Sequence, residues 1–293
     1  MTLWKKIERG AQRDVLGEGA LWCPRDGAFY WVDILAPALN RLTLATGKIE
    51  RWDMPEPLGW VVTSASNGST GSLVGGFRSG IATISLDPVE IGPRKALEAH
   101  LPGNRMNDGK TDASGAIWCG TMDMSETQAS GALYRISPEG EVRMIDIGYL
   151  VPNGPAFSHC GQWMYHADSG RRLIYRFALD DGAARKDRVF VEFDEDDGYP
   201  DGMTTDSQGF VWVAHWDGGR ITRFAADGSR DRTIELPARR ITNIAFAGEG
   251  LDRMFVTSAA TGLEPSEFDG ALFEVDCGGV TGNAPMPFTG QVA

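Results

Sequence analysis

Short segments that alternate apolar and polar residues recur along the chain, and turn dipeptides separate them. Five such segments have the period of two that is typical of half-buried strands, namely 40–44, 132–136, 173–177, 220–224 and 271–275. Most of them end at a hairpin-type dipeptide: Thr46-Gly47, Glu139-Gly140, Asp181-Gly182 or Asp227-Gly228. A further strand follows these turns, for example at 48–52 and 232–236.

A more apolar strand with an aromatic residue precedes each alternating segment. Trp31, Trp118, Tyr165, Trp212 and Phe255 hold equivalent positions, and the double-length first step leaves room for a unit at 72–75, after an Asn67-Gly68 turn. A repeat of about 40–50 residues is typical of propellers and solenoids. Six units of four strands predict an all-β, six-bladed β-propeller. Segment 3–11 has no unit of its own, and we expect it to pair with the last blade and close the ring.

Composition supports this interpretation and narrows the partners. The 293 residues include 37 glycines, 15 prolines and 9 tryptophans, and no linker divides them, so one domain spanning 1–293 is predicted. A formal net charge of −12 disfavours nucleic acid and anionic membranes as partners. Four scattered cysteines and the absence of an apolar leader favour a cytoplasmic protein, and we expect a monomer.

Familiar catalytic motifs do not account for the chain. It contains no H-E-x-x-H, no G-x-S-x-G and no G-x-G-x-x-G after a strand. The segment 103–111 resembles a phosphate loop, but it has one residue too many between its glycines and leads into a strand. The acidic segment 194–198 resembles part of a calcium loop, but its glycine comes one residue early and no glutamate closes it, so it is interpreted as a solvated loop.

Polar residues recur at the start of the repeat unit, where the innermost strand of each blade begins. The unit starts are spaced 42 to 48 residues apart, at Glu18, Trp60, Asn107, Asn153, Asp201 and Asn243. Asn-Gly and Asp-Gly are ordinary turn dipeptides, but turns between outer strands would not fall at this phase. We therefore expect these side chains to meet at the mouth of the central channel.

The chemistry of this ring suggests a divalent cation. Glu18, Asn153 and Asp201 offer two carboxylates and an amide oxygen, a set that suits Ca²⁺, Mg²⁺ or Mn²⁺, with Zn²⁺ and Fe(II) also possible. Three protein ligands leave coordination positions open for water and substrate, as in catalytic metal sites.

Several ordered motifs resemble the regucalcin (senescence marker protein)/gluconolactonase family, including bacterial sugar lactonases. They run in the family's order over residues 15–280: Leu16-Gly-Glu-Gly19, Arg105-Met-Asn-Asp-Gly-Lys110, Gly120-Thr-Met122, Gly131-Ala-Leu-Tyr134, Asn153-Gly154, Tyr199-Pro-Asp-Gly-Met203 and Gly218-Gly-Arg220. The resemblance implies a six-bladed propeller, one catalytic divalent metal ion and hydrolysis of sugar lactones.

The resemblance also implies roles for individual residues. Glu18, Asn153 and Asp201 would bind the metal, Asp201 would also be the acid/base residue, and Arg105 and Asn107 would hold substrate hydroxyls. Many relatives have a further substrate-binding glutamate at the position of Ser125, and Asp123 or Glu126 is expected to replace it. Trp60 is interpreted either as an apolar wall for the sugar ring or as core packing.

The leading hypothesis is a metal-dependent carboxylic ester hydrolase that opens an aldonolactone to its sugar acid. The metal would polarise the carbonyl, and Asp201 would move the proton. Two alternatives stay open: a calcium-binding regulatory protein without turnover, and a propeller phosphotriesterase or arylesterase. The sequence leaves the sugar and the metal unassigned.

Overall fold

A computed structural model describes residues 3–65 and 71–292. In this part of the chain the strands form six separate four-stranded antiparallel sheets, which confirms the predicted six-bladed β-propeller. The predicted Asn67-Gly68 turn lies outside the described residues. No helix among the described residues has the length and apolar character that crossing a membrane requires.

Each blade follows the predicted unit closely. The first described strand is β1 (Trp4–Lys6), and blade 1 contains β2 (Gly17–Cys23), β3 (Ala28–Asp33), β4 (Ala38–Thr43) and β5 (Lys48–Asp53). Blade 2 contains β6 (Leu58–Thr63), β7 (Leu73–Phe77), β8 (Gly80–Leu86) and β9 (Val89–Ile91). Blade 3 contains β10 (Asn104–Thr111), β11 (Ile117–Asp123), β12 (Gly131–Ile136) and β13 (Val142–Tyr149).

The remaining blades repeat the order. Blade 4 contains β14 (Pro152–Phe157), β15 (Trp163–Asp168), β16 (Leu173–Asp180) and β17 (Ala183–Glu192). Blade 5 contains β18 (Tyr199–Thr205), β19 (Val211–Trp216), β20 (Arg220–Phe224) and β21 (Arg230–Glu235). Blade 6 contains β22 (Arg240–Ala247), β23 (Arg253–Ala259) and β24 (Phe273–Val275). Two 3-10 turns, Ser169–Arg171 and Glu195–Asp197, precede the third strand of blade 4 and the first strand of blade 5.

The N-terminal strand closes the ring, as predicted. β1 is the outermost strand of blade 6 and pairs with β24, with Trp4 opposite Val275. The Trp4 ring makes edge contacts with Phe268 and Phe273, with centroids 5.9 and 5.7 Å away. The strand that completes the last blade therefore also brings an aromatic anchor to its outer edge.

In blades 3 and 5 the repeated tryptophan is fixed in place by a buried carboxylate. Trp118 Nε1 donates to Asp112 Oδ2 at 2.7 Å, and Trp212 Nε1 donates to Asp206 Oδ2 at 2.9 Å. The other oxygen of each aspartate accepts backbone N–H groups of the turn that enters the strand, at 2.8 Å from Ser114 and 3.0 Å from Gln208. One aspartate thus orders the turn and satisfies the buried indole, because a buried polar group without a partner would be costly.

The first strand of every blade lies innermost, and each carries a β-bulge near its start. β2, β6, β10, β14, β18 and β22 contact one another in sequence around the channel. The register between each of them and the second strand of its blade shifts where the ring residues lie. Since a bulge changes the direction of the side chains beside it, it lets the ring residues point into the channel.

The segment after β24, which the repeat did not predict, crosses the opposite end of the channel. It is held by single backbone hydrogen bonds to several blades, among them Gly282 N to Leu251 O at 2.7 Å and Phe288 N to Thr63 O at 2.8 Å. The Phe288 ring is fully buried in a cluster between blades 2 and 3. This tail covers the end of the channel where the innermost strands finish.

Candidate active site

A cavity of about 410 Å³ opens at the end of the channel where the innermost strands begin. It is lined by most of the predicted site residues: Glu18, Arg105, Asn107, Glu126, Asn153 and Asp201. These residues belong to blades 1, 3, 4 and 5, and Glu126 lies on the loop after β11. The phase of the repeat therefore brings residues that are distant in sequence to one place.

Glu18 and Asp201 face each other across the cavity floor. Glu18 Oε2 accepts the Gly19 N–H at 3.0 Å and Asn243 Nδ2 at 2.8 Å, while Asp201 Oδ1 accepts the Gly202 N–H at 3.0 Å. The two carboxyl groups lie within hydrogen-bonding reach of each other. Burial raises the pKa of both groups, and the charge of Asp108 adds to the effect on each.

Asn153 lies in a chain of hydrogen bonds that crosses three blades. Arg105 NH1 donates to Asn107 Oδ1 at 2.7 Å, and Asn107 Nδ2 donates to Asn153 Oδ1 at 3.1 Å. Asn153 Nδ2 in turn donates to Ser169 Oγ at 2.9 Å, and Ser169 Oγ donates to the carbonyl of Pro200. The chain fixes which atom of the Asn153 amide is the oxygen, and it leaves that oxygen a further lone pair.

These residues fit a divalent cation. Two buried carboxylates that face each other repel unless a proton or a cation lies between them. Burial is the main cause of the raised pKa of both groups, and the charge of Glu18 raises the pKa of Asp201 further. With the Asn153 oxygen they form an all-oxygen donor set, which hard cations prefer. No group of three His, Cys, Asp or Glu in residues 3–65 and 71–292 could hold a metal ion, so an amide ligand is needed to complete this set.

Arg105 is the cation at the cavity wall. Its side chain is buried, and NH1 also donates to the Met106 carbonyl at 2.9 Å. Burial lowers the pKa of Arg105, while the charges of Glu126, Glu18 and Asp201 raise it. Arg105 thus lies between the two carboxylates of the cavity floor, Glu18 and Asp201, and the carboxylate of Glu126.

The two acidic residues proposed to replace the glutamate at Ser125 occupy different positions. Glu126 lines the cavity, and its backbone has a positive φ of 57°. Asp123 does not line it. Its Oδ2 accepts the hydroxyl of Ser125 at 2.5 Å and the N–H groups of Thr127 and Gln128 at 3.1 Å each, and these bonds lower the Asp123 pKa to about 2. Asp123 therefore orders the loop that presents Glu126.

Trp60 is placed in the core rather than at the cavity. Its side chain is fully buried against Gly76 and Gly109, in the cluster between blades 2 and 3. Of the two interpretations from the sequence, the packing role describes this position. The aromatic residues that line the cavity are Tyr199 and Trp216, which pair with each other at the rim of blade 5.

Comparison with known proteins identifies the family. The profile of the SMP-30/Gluconolactonase/LRE-like region matches residues 16–260. The chain belongs to this family. It is 32% identical over 294 residues to the pentonolactonase XacC of Haloferax volcanii, and the alignment covers 99% of this chain and 97% of that protein.

Two further relatives show the range of the family. The chain is 35% identical over 251 residues to the 6-deoxy-6-sulfogluconolactonase of Pseudomonas putida, with 85% of this chain and 84% of that protein covered. The crystal structure of a calcium-binding protein, regucalcin, from Agrobacterium tumefaciens superposes with a TM-score of 0.88 at 28% identity, covering 94% of this chain and 95% of that one.

Other cavity and channel residues of this SMP-30/gluconolactonase-type chain were not singled out from the sequence. Asp108 and Lys110 lie just after Asn107 on β10, and Ser169 follows β15. Antiparallel pairing was a usable signal for Ser169 and Trp216, because the end of each second strand lies beside the start of the first. Nothing in the sequence spacing indicated Asp108, because the bulge that turns two adjacent residues inward is visible only in the structure.

Proposed function

We propose that this protein hydrolyses a sugar lactone to the corresponding sugar acid, with one divalent cation as cofactor. The observation that carries the proposal is the Glu18–Asn153–Asp201 oxygen set on the floor of a cavity of about 410 Å³. That volume suits a small ligand such as a single sugar ring. The names of the pentonolactonase and sulfogluconolactonase relatives support this substrate class.

Glu18, Asn153 and Asp201 would hold the cation. When bound, it would act as a Lewis acid on the lactone carbonyl, a contribution of several kcal/mol to stabilising the transition state. The oxygen ligands suit Ca²⁺, Mg²⁺ or Mn²⁺, and Zn²⁺ or Fe(II) is also compatible with them. The Agrobacterium relative is itself a calcium-binding protein, which supports Ca²⁺ as one candidate.

The cavity walls would orient the sugar. Arg105 offers guanidinium donors to ring oxygens and hydroxyls, and its hydrogen bond to Asn107 fixes the amide beside it. Glu126 would accept hydrogen bonds from sugar hydroxyls on the opposite side of Arg105. Tyr199 and Trp216 supply apolar faces at the rim, where an aromatic ring can cover the carbon face of a sugar.

Asp201 would be the acid/base residue. Its carboxylate would accept a proton from the attacking water as the new C–O bond forms at the carbonyl carbon. The same proton would then pass to the ring oxygen as the ester C–O bond breaks. A pKa raised by burial and by the neighbouring carboxylates suits a group that both accepts and releases a proton.

Replacing Asp201 by asparagine tests the proposal. Asp201→Asn keeps the size of the side chain and removes the base, so acid release from aldonolactones should fall by a factor of about 10² to 10⁴. A pH-stat assay over xylono-, arabinono-, galactono- and gluconolactones measures this, and Asp252→Asn on the exposed surface is the matched control. Chelation should abolish turnover of the wild type, and a divalent cation should restore it.

The outcomes separate the rival functions. Tight binding of a cation without hydrolysis of any lactone would indicate a calcium-binding protein instead. Faster turnover of a phosphotriester or an aryl ester than of every lactone would indicate the other esterase class. Full activity of Asp201→Asn, or of the thoroughly stripped protein, would disprove the mechanism.

A further inference from the structure

A polar group fills the middle of the channel and separates two chambers. The cavity described above and a second chamber of about 510 Å³ beside the C-terminal tail share no lining residue. Between them lie Asp108, Lys110 and Asn243, which come from the innermost strands of blades 3 and 6. None of the three has a role in the chemistry proposed above.

Asp108 ties three blades together below the cavity floor. It is 1% exposed, and it accepts the Gly109 N–H at 2.7 Å, the Gly154 N–H at 3.1 Å and Asn243 Nδ2 at 3.2 Å. The same Asn243 nitrogen donates to Glu18 Oε2. Asp108 therefore holds the amide that orients Glu18.

Lys110 brings a positive charge to the same level of the channel. Its ammonium group donates to the carbonyl of Met203, two residues beyond Asp201 on β18, and its side chain lines the second chamber. The charges of Asp108 and Glu18 act on Lys110 and favour its protonated form, against the effect of burial, which lowers its pKa. Lys110 is thus coupled electrostatically to both carboxylates.

The balance of charge at the floor depends on this pair. With a cation bound, Glu18, Asp108 and Asp201 would all be ionised and would be opposed by Arg105 and Lys110, which leaves an excess of one negative charge for the cation to meet. Removing Lys110 would increase the excess, and neutralising Asp108 would abolish it. Because a divalent cation carries two charges, each change alters its interaction energy twice as much as that of a singly charged ion.

We propose that Lys110 and Asp108 are positioning residues that set the cation affinity of the Glu18–Asn153–Asp201 set in opposite directions. This inference rests on the metal site of the proposed function. Lys110 weakens binding by its charge, and Asp108 strengthens it both by its charge and by holding Asn243 against Glu18.

Titration calorimetry of the chelator-treated full chain with Ca²⁺ and with Mn²⁺ tests the proposal. Lys110→Gln keeps a donor for the Met203 carbonyl and removes the charge, so the Kd for the cation should fall by at least about fivefold, since even buried charges in proteins interact at an effective dielectric constant of about 20. Asp108→Asn should raise Kd by at least about tenfold on the same grounds. Lys110→Arg, which keeps the charge, should stay within about twofold of the wild type.

Lys95→Gln is the matched control, because Lys95 also donates to a backbone carbonyl, that of Gly140 at 3.0 Å, but away from the cavity. Its Kd should equal that of the wild type. A merely structural role would weaken binding in both the Lys110 and the Asp108 variants. Shifts in the same direction, or no shift in a folded Lys110→Gln, would overturn the inference while leaving the lactonase proposal intact. A wild type that binds neither cation and retains its turnover after chelation would sink the metal site itself, and with it both proposals.

Discussion

Neighbouring acidic residues on the loop after β11 differ in what their oxygens meet. Both carboxylate oxygens of Asp123 accept hydrogen bonds from the loop itself, at Ser125, Thr127 and Gln128. Glu126 has its side chain at the cavity, where its charge acts on Arg105. A residue of the same charge therefore orders the loop in one case and faces the cavity in the other.

We expect Glu126→Gln to raise KM for the preferred lactone by about tenfold and to change kcat little, because a hydrogen bond to a charged group contributes about 1.5–3 kcal/mol. Asp123→Ala should raise KM by a similar factor, since the loop that presents Glu126 loses its acceptor. Steady-state kinetics measure both changes. Glu249→Gln, on an exposed turn, is the control, and an unchanged KM in Glu126→Gln would remove Glu126 from the substrate site.

Part of the site could be predicted from the position of each residue within the repeat unit. The rest depends on the direction of side chains, which that position does not determine. The spacing of Glu18, Asn107, Asn153 and Asp201 was enough to predict that they converge, and the structure brings them to one cavity. The same spacing included Trp60, which turns into the core because Gly76 and Gly109 leave room for its ring there. Phase locates a backbone position, whereas the local packing decides where its side chain points.

The innermost strands share a bulge, and glycines make room for it. Gly202 follows Asp201 on β18, and a Cβ at this position would lie 2.4 Å from Cγ and Nδ2 of Asn243. That contact is shorter than side chains tolerate, and Asn243 is the residue that bridges Asp108 and Glu18. The absence of a side chain at Gly202 thus allows the amide to reach both carboxylates.

Gly202→Ala should therefore displace Asn243 and lower the free energy of unfolding by about 1–3 kcal/mol, the usual cost of overpacking a buried site. Lactone hydrolysis should fall as well, because Glu18 loses its amide partner. Urea unfolding followed by tryptophan fluorescence measures the first effect. Gly103→Ala is the control, since its nearest neighbour to an added Cβ is 3.9 Å away, and equal stability of the two variants would contradict the argument.

The regular strands could be predicted because their side chains alternate with the pleat, and the C-terminal tail could not. β4, β12, β16 and β20 begin within two residues of the positions that period-two alternation indicated. The tail after β24 forms isolated bridges instead, such as Ser64 with Phe288 and Asp206 with Gly282. Its position is set by contacts with several blades, which no periodic pattern encodes.

Acid sensitivity of the entire fold should follow from two buried histidines. His166 is fully buried between the edges of Tyr149 and Phe177, and neither of its ring nitrogens has a hydrogen-bond partner in the described part of the chain. Burial lowers the pKa of His166 to about 3 and that of His215 to about 4. Both are therefore neutral in the folded protein at pH values where an unfolded histidine takes up a proton.

The sign of the effect is destabilisation in acid. Stability is unaffected above a pH of about 6.5, the ordinary histidine pKa, and falls as the pH drops from there towards the folded-state values. Between pH 7 and pH 4.5 the contribution of His166 should decrease by about 2–3 kcal/mol. His166→Leu should lose correspondingly less stability over this interval in urea unfolding, and the exposed His100→Gln should behave as the wild type. Parallel pH profiles for His166→Leu and the wild type would show that this histidine is not responsible.

The separation of the two chambers has a consequence for traffic through the molecule. In the described part of the chain, Asp108, Lys110 and Asn243 lie between the two chambers and the C-terminal tail lies across the far end of the channel, so we expect a ligand of the candidate site to use one opening. Whatever enters past Tyr199 and Trp216 must leave the same way. We therefore expect a departing product and an arriving substrate to compete for this opening, and the rate of their exchange to depend on the residues at the rim.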